Sequence, residues 1–272
     1  MKNALREIYG ELPGKPDHLY GEITLRDSSF GGGNHKYEEH RLYAVYGDKK
    51  LSFYVRAVIP NGEVKANVIH IETDDKIPNR HTPCEEIADL GYAIFSVSAK
   101  ELNRADDKFC ISRARTFRRG RMTPGDYGML AYAAGLVRDY ISYLYQDRRC
   151  AVIGHGILAE AAMLVAAVNK SISCALINGI YNTGETPSLF RDGRPTQASL
   201  EYRIGLLSEE ILPRKIIFGF AEEDKPSITL PKDAMSFVRD GYSDLTRRDW
   251  QRYLKMLDEL LVQYKQLCNA LR

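Results

Sequence analysis

The chain has only five cysteines, Cys84, Cys110, Cys150, Cys174 and Cys268, and no two form a CxxC pair. That excludes the close-spaced thiol sets of zinc sites and of small disulfide scaffolds. Buried, reduced thiols of a cytoplasmic protein are the expected reading. Long apolar runs are also lacking. The longest, around Ala159 to Val168, is too short to cross a bilayer. The opening stretch Met1 to Gly10 has no apolar segment of the kind a secretory signal needs. Neither sign of charge dominates: 38 Lys plus Arg face 36 Asp plus Glu, a net +2. No membrane and no nucleic-acid partner is therefore expected from bulk electrostatics. Eleven prolines and 21 glycines in 272 residues are too few for a collagen-like or low-complexity chain, and 44% hydrophobic residues supply a core. Histidine is missing from the whole C-terminal part. All six, His18, His35, His40, His70, His81 and His155, lie at or before residue 155.

What is present reads as alternating strands and helices. Residues 1–38, ending just after Gly31-Gly32-Gly33, are expected to form an irregular entry segment, and residues 39–272 a single domain. Arg41 to Tyr46 and Leu51 to Val58 flank Gly47-Asp48-Lys49-Lys50, a hairpin pattern. Ala66 to Ile71 and Tyr92 to Val97 read as strands. Pro83 to Leu90 reads as a helix stopped by Gly91. A loop is expected over Lys100 to Pro124, then a helix over Asp126 to Gln146 from its apolar spacing. Cys150 to Ile153, Ile172 to Ile177 and Ile216 to Phe220 are short apolar runs suited to buried parallel strands, with a helix over Ile157 to Val168. Leu245 to Leu271 has one apolar stripe, as a helix lying on a sheet needs. The expected class is α/β, a mainly parallel sheet with helices on both faces and a hairpin in front.

The most informative stretch is Ala151 to Met163, AVIGHGILAEAAM. A strand enters a sharp glycine turn and passes straight into an Ala-rich helix. This is the layout of a nucleophile elbow, G-x-S-x-G, although any βα turn of a parallel sheet shares the frame. At the centre, where the hydroxyl belongs, stands Gly156, and Leu158 replaces the closing glycine.

Asp126 to Leu144, DYGMLAYAAGLVRDYISYL, together with Ala151 to Ala162, resembles the acetyl xylan esterase, glucuronoyl esterase and dipeptidyl-aminopeptidase-like branch of the α/β-hydrolases. Gly241 to Leu245 followed by Asp249-Trp250 resembles the G-x-H-x-L…D-W ending of that branch, and Asn178 to Pro195 its loop after the sixth strand. The resemblance runs from about Glu39 onward. It implies an α/β-hydrolase fold with about eight strands and no large lid. It places the catalytic serine at Gly156 and the histidine at Ser243. Asp224 stands where such folds carry the acid, with Glu185 as the alternative, and Ile157 follows the lost serine. Two of three triad positions thus hold residues unable to do the work, and the chain order nucleophile, acid, histidine leaves no later histidine to replace the base.

The pocket around such an elbow would include His155 and, from the loop after the third strand of that fold, Asp74 and Asp75. Carboxylates pointing into an oxyanion hole would oppose developing charge. The alternative is that both face solvent, as most loop carboxylates do. Arg113, Arg115, Arg118, Arg119 and Arg121 crowd one loop, either as a solvated charge run or as an anion site for a uronic acid or phosphate. His35 and His40 are five apart, so no metal motif is formed on one helix face or one strand face. No metal and no cofactor is expected. The overall expectation is an esterase-like protein that has lost Ser and His and whose pocket takes a small carbohydrate ester or an anion. Its rivals are a hydrolase using another nucleophile, such as Ser243 or a cysteine, and a structural or regulatory protein without a ligand.

Overall fold

The computed structural model describes residues 2–104, 124–145, 149–180, 188–191, 194–224 and 228–270. Helix α1 (Lys2–Tyr9) and strand β1 (His18–Asp27) open the chain. The hairpin β2 (His35–Tyr46) and β3 (Lys49–Pro60) turns at Gly47, whose φ of +56° suits a residue without a Cβ. Then follow β4 (Ala66–Glu72), α2 (Cys84–Asp89), β5 (Tyr92–Ser98), α3 (Ala99–Arg104) and α4 (Pro124–Tyr145). Next come β6 (Cys150–His155), α5 (Ala159–Val168) and β7 (Cys174–Asn178). The chain continues through a small hairpin β8 (Ser188–Arg191) and β9 (Arg194–Gln197), then α6 (Leu200–Ile211), β10 (Lys215–Ala221), β11 (Met235–Arg239) and α7 (Arg247–Ala270).

Nine strands form one sheet in the order β1-β2-β3-β5-β4-β6-β7-β10-β11. The first three are mutually antiparallel and β3 runs against β5; from β5 to β11 all neighbours are parallel. Strands β4, β5 and β7 are buried along their whole length, which explains why they read as unbroken apolar runs. One face packs on α1, α4, α5 and α6 through Leu130, Val137, Leu164 and Leu207. The other packs on α2 and α7 through Ile87, Trp250, Tyr253 and Leu254. The sheet therefore has helices on both faces, as expected.

The entry segment differs from expectation. Residues up to 38 hold α1, β1 and the start of β2, and the expected boundary at residue 39 falls inside β2. The sheet has nine strands because β1 and β11 add an edge at either end of the strands expected. Strand β1 leaves a weak sequence signal because its polar and apolar residues do not alternate cleanly; the register slips between Ile23 and Leu25. The expected loop from Lys100 lies partly in α3, which starts at Ala99. Helix α6, also unforeseen, begins at a cap: Ser199 Oγ accepts from the Tyr202 amide at 3.2 Å.

Candidate functional site

Strand β6 ends at His155, and Gly156 to Leu158 form a single 3-10 turn that leads directly into α5. Gly156 has φ +59°, the left-handed conformation that an elbow imposes on its central residue. Gly154 is needed for a different reason. A Cβ there would overlap the Leu158 carbonyl oxygen and stand 3.0 Å from the Ala159 α-carbon, so the turn closes only over a bare backbone. Sequence and structure thus agree on the strand–turn–helix frame and on the missing side chain at its centre.

Ser243 comes to the same edge of the sheet. It lies on the segment between β11 and α7, over Gly179, which directly follows β7. A Cβ at Gly179 would overlap Ser243 Oγ and would lie 3.5 Å from His155 Cε1. Strands β6 and β7 are neighbours with His155 opposite Asn178. Ser243 Oγ and the His155 ring, one residue before Gly156, thus both border Gly179. Asp224 ends a 3-10 turn, Glu222 to Asp224, right after β10, and the Glu223 amide bonds to the Gly241 carbonyl at 3.3 Å. That turn is thereby tied to the Ser243 segment.

A polar network surrounds this edge. Asn178 Nδ2 donates to His155 Nδ1 at 2.9 Å and to the Asp244 carbonyl at 2.8 Å, while its Oδ1 accepts from Tyr253 Oη at 3.2 Å. The His155 ring stacks on that of His81, with centroids 6.1 Å apart and planes at 24°. His81 Nδ1 is 3.0 Å from Asp244 Oδ1, and its Nε2 accepts from Arg80 Nε at 2.8 Å. Burial pushes the His155 imidazole toward the neutral form, opposed by nearby Asp244. His70, buried below, is driven down to about 3, chiefly by burial and then by the two other histidines.

Neither His81 nor Asp244 was singled out in the sequence as a site residue. Asp244 was visible only as part of the Gly241 to Leu245 motif. His81 precedes the elbow by many residues and reaches it through tertiary structure. The ending motif Asp249-Trp250 supplies that structure. Asp249 accepts from the Thr246 amide and hydroxyl at 2.8 and 2.7 Å, capping α7, and is held by Arg239 Nε at 2.8 Å. Trp250 Nε1 donates to the His81 carbonyl at 2.7 Å and so fastens the His81 loop to α7.

The other expected pocket residues divide. Asp74 is half-exposed and pairs with Lys100 Nζ at 2.7 Å, so this carboxylate is neutralised at the surface. Asp75 is half-buried in the same loop, and Ile157 packs against the apolar core. Glu185, Arg113, Arg115, Arg118, Arg119 and Arg121 lie outside the described residues. A buried carboxyl group here is Glu72, at the end of β4. Asn79 Nδ2 and Thr82 Oγ1 donate to it at 2.7 and 3.2 Å, and Ser96 Oγ adds a short bond. Burial raises it to about 7 despite these donors.

Because folding raises this group, the stability it contributes is complete below its unfolded value and is lost as pH rises through about 7. His70 has the opposite sign, but its contribution changes only below its unfolded value near 6.5. Glu72→Gln is therefore expected to stabilise the protein at pH 8 by about 3 kcal/mol, or roughly 5 °C in Tm, and to make no difference near pH 4. Thermal unfolding followed at both pH values checks this.

The two histidines of His35 to His40 point to opposite faces of β2. His35 Nε2 meets Asp89 of α2 at 2.9 Å, whereas His40 Nδ1 meets Tyr140 of α4 at 3.0 Å. Among the described residues, no group of three His, Cys, Asp or Glu side chains is arranged to hold a metal. Cys150 begins β6, at the far end from the elbow, and burial pushes its thiol up to about 12, which unfits it as a nucleophile. No described helix is long and apolar enough to cross a membrane.

Neither the protein-family models nor the curated protein sequences give a match to the chain. Solved structures do. A glucuronoyl esterase from Solibacter usitatus superimposes with a TM-score of 0.68 at 18% identity, covering 93% of this chain and 89% of that one. A promiscuous CE15 esterase from a marine bacterial metagenome gives 0.67 at 13% identity, covering 94% and 89%. Dienelactone hydrolase from Anabaena variabilis gives 0.52 at 16% identity, covering 84% and 98%. With the strand order, the parallel core and the elbow, this likeness defines the class: the chain has the α/β-hydrolase fold. Two of these neighbours in fold are named as esterases and one as a hydrolase, and the turn after β6 in this chain carries Gly156.

Proposed function

We propose that this is an esterase-like protein that binds a small ester or anion at the elbow and does not cleave it. The observation that carries the reading is Gly156, in left-handed conformation at the centre of the elbow, with no side chain to attack a carbonyl. Acyl transfer needs a nucleophile and a base that takes its proton. The resemblance assigns the base position to Ser243, and His155, which borders Gly179 with it, has Nδ1 engaged by Asn178. What the elbow retains is binding equipment: the backbone N–H groups that open α5, the His155 ring and the Arg80–His81–Asp244 cluster. The fold neighbours act on uronic acid esters and lactone-type substrates according to their names. A uronic acid ester or its free acid is therefore the ligand class we favour.

One observation favours a second reading, hydrolysis by Ser243: this serine lies beside His155, and the His81–Asp244 pair is part of the same cluster. Against it, Ser243 Oγ is buried against the Gly179 backbone and does not face open space. A purely structural role is the third reading. Thermal-shift titration with methyl glucuronate and with glucuronate separates these. Binding at the elbow is expected to raise Tm in proportion to the logarithm of ligand concentration, and His155→Ala is expected to abolish the rise. No shift with either compound favours the structural reading; loss of the ester during the titration favours hydrolysis.

A further inference from the structure

The antiparallel strands that precede the parallel core have one covered face. Leu42, Ala44, Leu51 and Phe53 join the core that lies beneath α4. The outer face near the hairpin end meets solvent: Tyr20 is 44% exposed, and Arg41 and Lys50 are exposed. We propose that this outer face of β1, β2 and β3 binds an acidic polysaccharide. The proposal rests on residues separate from the elbow and does not depend on what the elbow binds.

Tyr20 and Tyr43 are partners in the β1–β2 register and stack with centroids 4.9 Å apart. The Arg41 guanidinium lies 5.4 Å from the Tyr43 ring centre and 5.7 Å from that of Tyr54, its partner on β3. Lys50 Nζ lies 4.9 Å from the Tyr43 ring. Two cations are thus gathered around one ring. Beside them runs a depression of about 900 Å³, bordered also by the hydroxyls of Thr24, Ser52 and Tyr54.

Charge decides what this face can take. Arg56, at one side of the depression, is paired with Glu39 at 3.0 Å and Glu101 at 3.4 Å. Glu22, opposite Arg41 in register, accepts from Tyr43 Oη at 3.2 Å. Among the described residues, Arg41 and Lys50 have no carboxylate within ion-pair distance. Among the described residues they lie instead against the negative faces of tyrosine rings, with Glu22 and Glu39 nearby but outside ion-pair distance, an arrangement worth little in water and more when an anion completes it.

The chemistry that fits is an extended sugar chain bearing carboxylates. Its C–H faces pack on an exposed tyrosine ring, its hydroxyls meet Thr24, Ser52 and Tyr54, and its carboxylate meets Arg41 and Lys50. A small inorganic anion would leave the aromatic surface unused. A single-stranded polynucleotide needs a track of cations along its backbone, and here the cation pair is flanked by Glu22 and Glu39.

Native-gel affinity electrophoresis of the full chain tests this, with polygalacturonate, neutral dextran or oligodeoxythymidylate cast in the gel. Retardation by polygalacturonate is expected, without retardation by dextran. Arg41→Gln combined with Lys50→Gln is expected to weaken binding roughly tenfold, while Tyr20→Ser weakens it less. A control pair that removes the same charge elsewhere, Lys15→Gln with Lys255→Gln, is expected to bind as the parent does. Lys50→Arg, which keeps the cation, covers the case of a misfolded double variant and is expected to retain binding. The proposal is overturned by no retardation of the parent in polygalacturonate, by equal losses in the test and control pairs, or by stronger retardation in oligodeoxythymidylate.

Discussion

Replacing Glu160 by alanine is expected to cost the fold about 3–5 kcal/mol, the largest stability effect of any single substitution considered for this chain. Glu160 lies in the first turn of α5, just past the elbow, and is buried. Its Oε1 accepts from Arg203 Nε at 2.6 Å and from Tyr9 Oη at 2.7 Å, and its Oε2 accepts from Arg203 Nη2 at 3.0 Å. Arg203 is 1% exposed and spends a further donor on the Ala198 carbonyl at 2.7 Å. Without Glu160, a guanidinium that cannot shed its charge is left in the core. Arg203→Met is expected to cost less, because the abandoned carboxyl group can take up a proton. The pair Glu160→Leu with Arg203→Met is expected to return to within about 1 kcal/mol of the parent, since well-packed apolar residues avoid both desolvation costs. Urea unfolding of the three variants measures these differences. A double variant as unstable as Glu160→Ala would mean that the pair contributes more than charge compensation. Because Tyr9 shares the same oxygen, the loss should also loosen α1.

The second large effect concerns chemistry. Gly156→Ser places a hydroxyl at the turn after β6, and Ser243→His places an imidazole at the position that the resemblance assigns to the base. Either alone is expected to leave p-nitrophenyl acetate intact, because the members of a triad act as a unit. Together they are expected to exceed either single variant in rate by about tenfold or more. The gain is limited by geometry. A serine at residue 156 must accept φ +59°, at a cost of about 1–2 kcal/mol. A histidine at residue 243 must turn away from Gly179 and find room beside His155. Three folded but equally inert variants would mean that the edge has drifted beyond triad geometry.

The frame of the site was legible because it depends on local rules. Gly154 and Gly156 stand where a Cβ is forbidden or a left-handed backbone is required, and a buried parallel strand on one side and an Ala-rich helix on the other leave strong composition signals. Ser243 was legible only through the motif around it. His81 was not, because what brings it to Asp244 is the bond from Trp250 and the Glu72-anchored loop, contacts far apart in the chain. The two edge strands leave a weak sequence signal for a different reason: neither β1 nor β11 has a fully buried residue, so β1 reads as a charged, irregular segment and Met235–Arg239 shows no apolar run.

On the proposed function the parent chain binds at its elbow without cleaving. The most direct measurement is steady-state hydrolysis of p-nitrophenyl acetate and methyl glucuronate by the purified, unsubstituted protein, with Ser243→Ala alongside. The expected result is a rate equal to that of heat-denatured protein for both chains. Turnover by the parent that disappears in Ser243→Ala would contradict the account and make Ser243 the nucleophile.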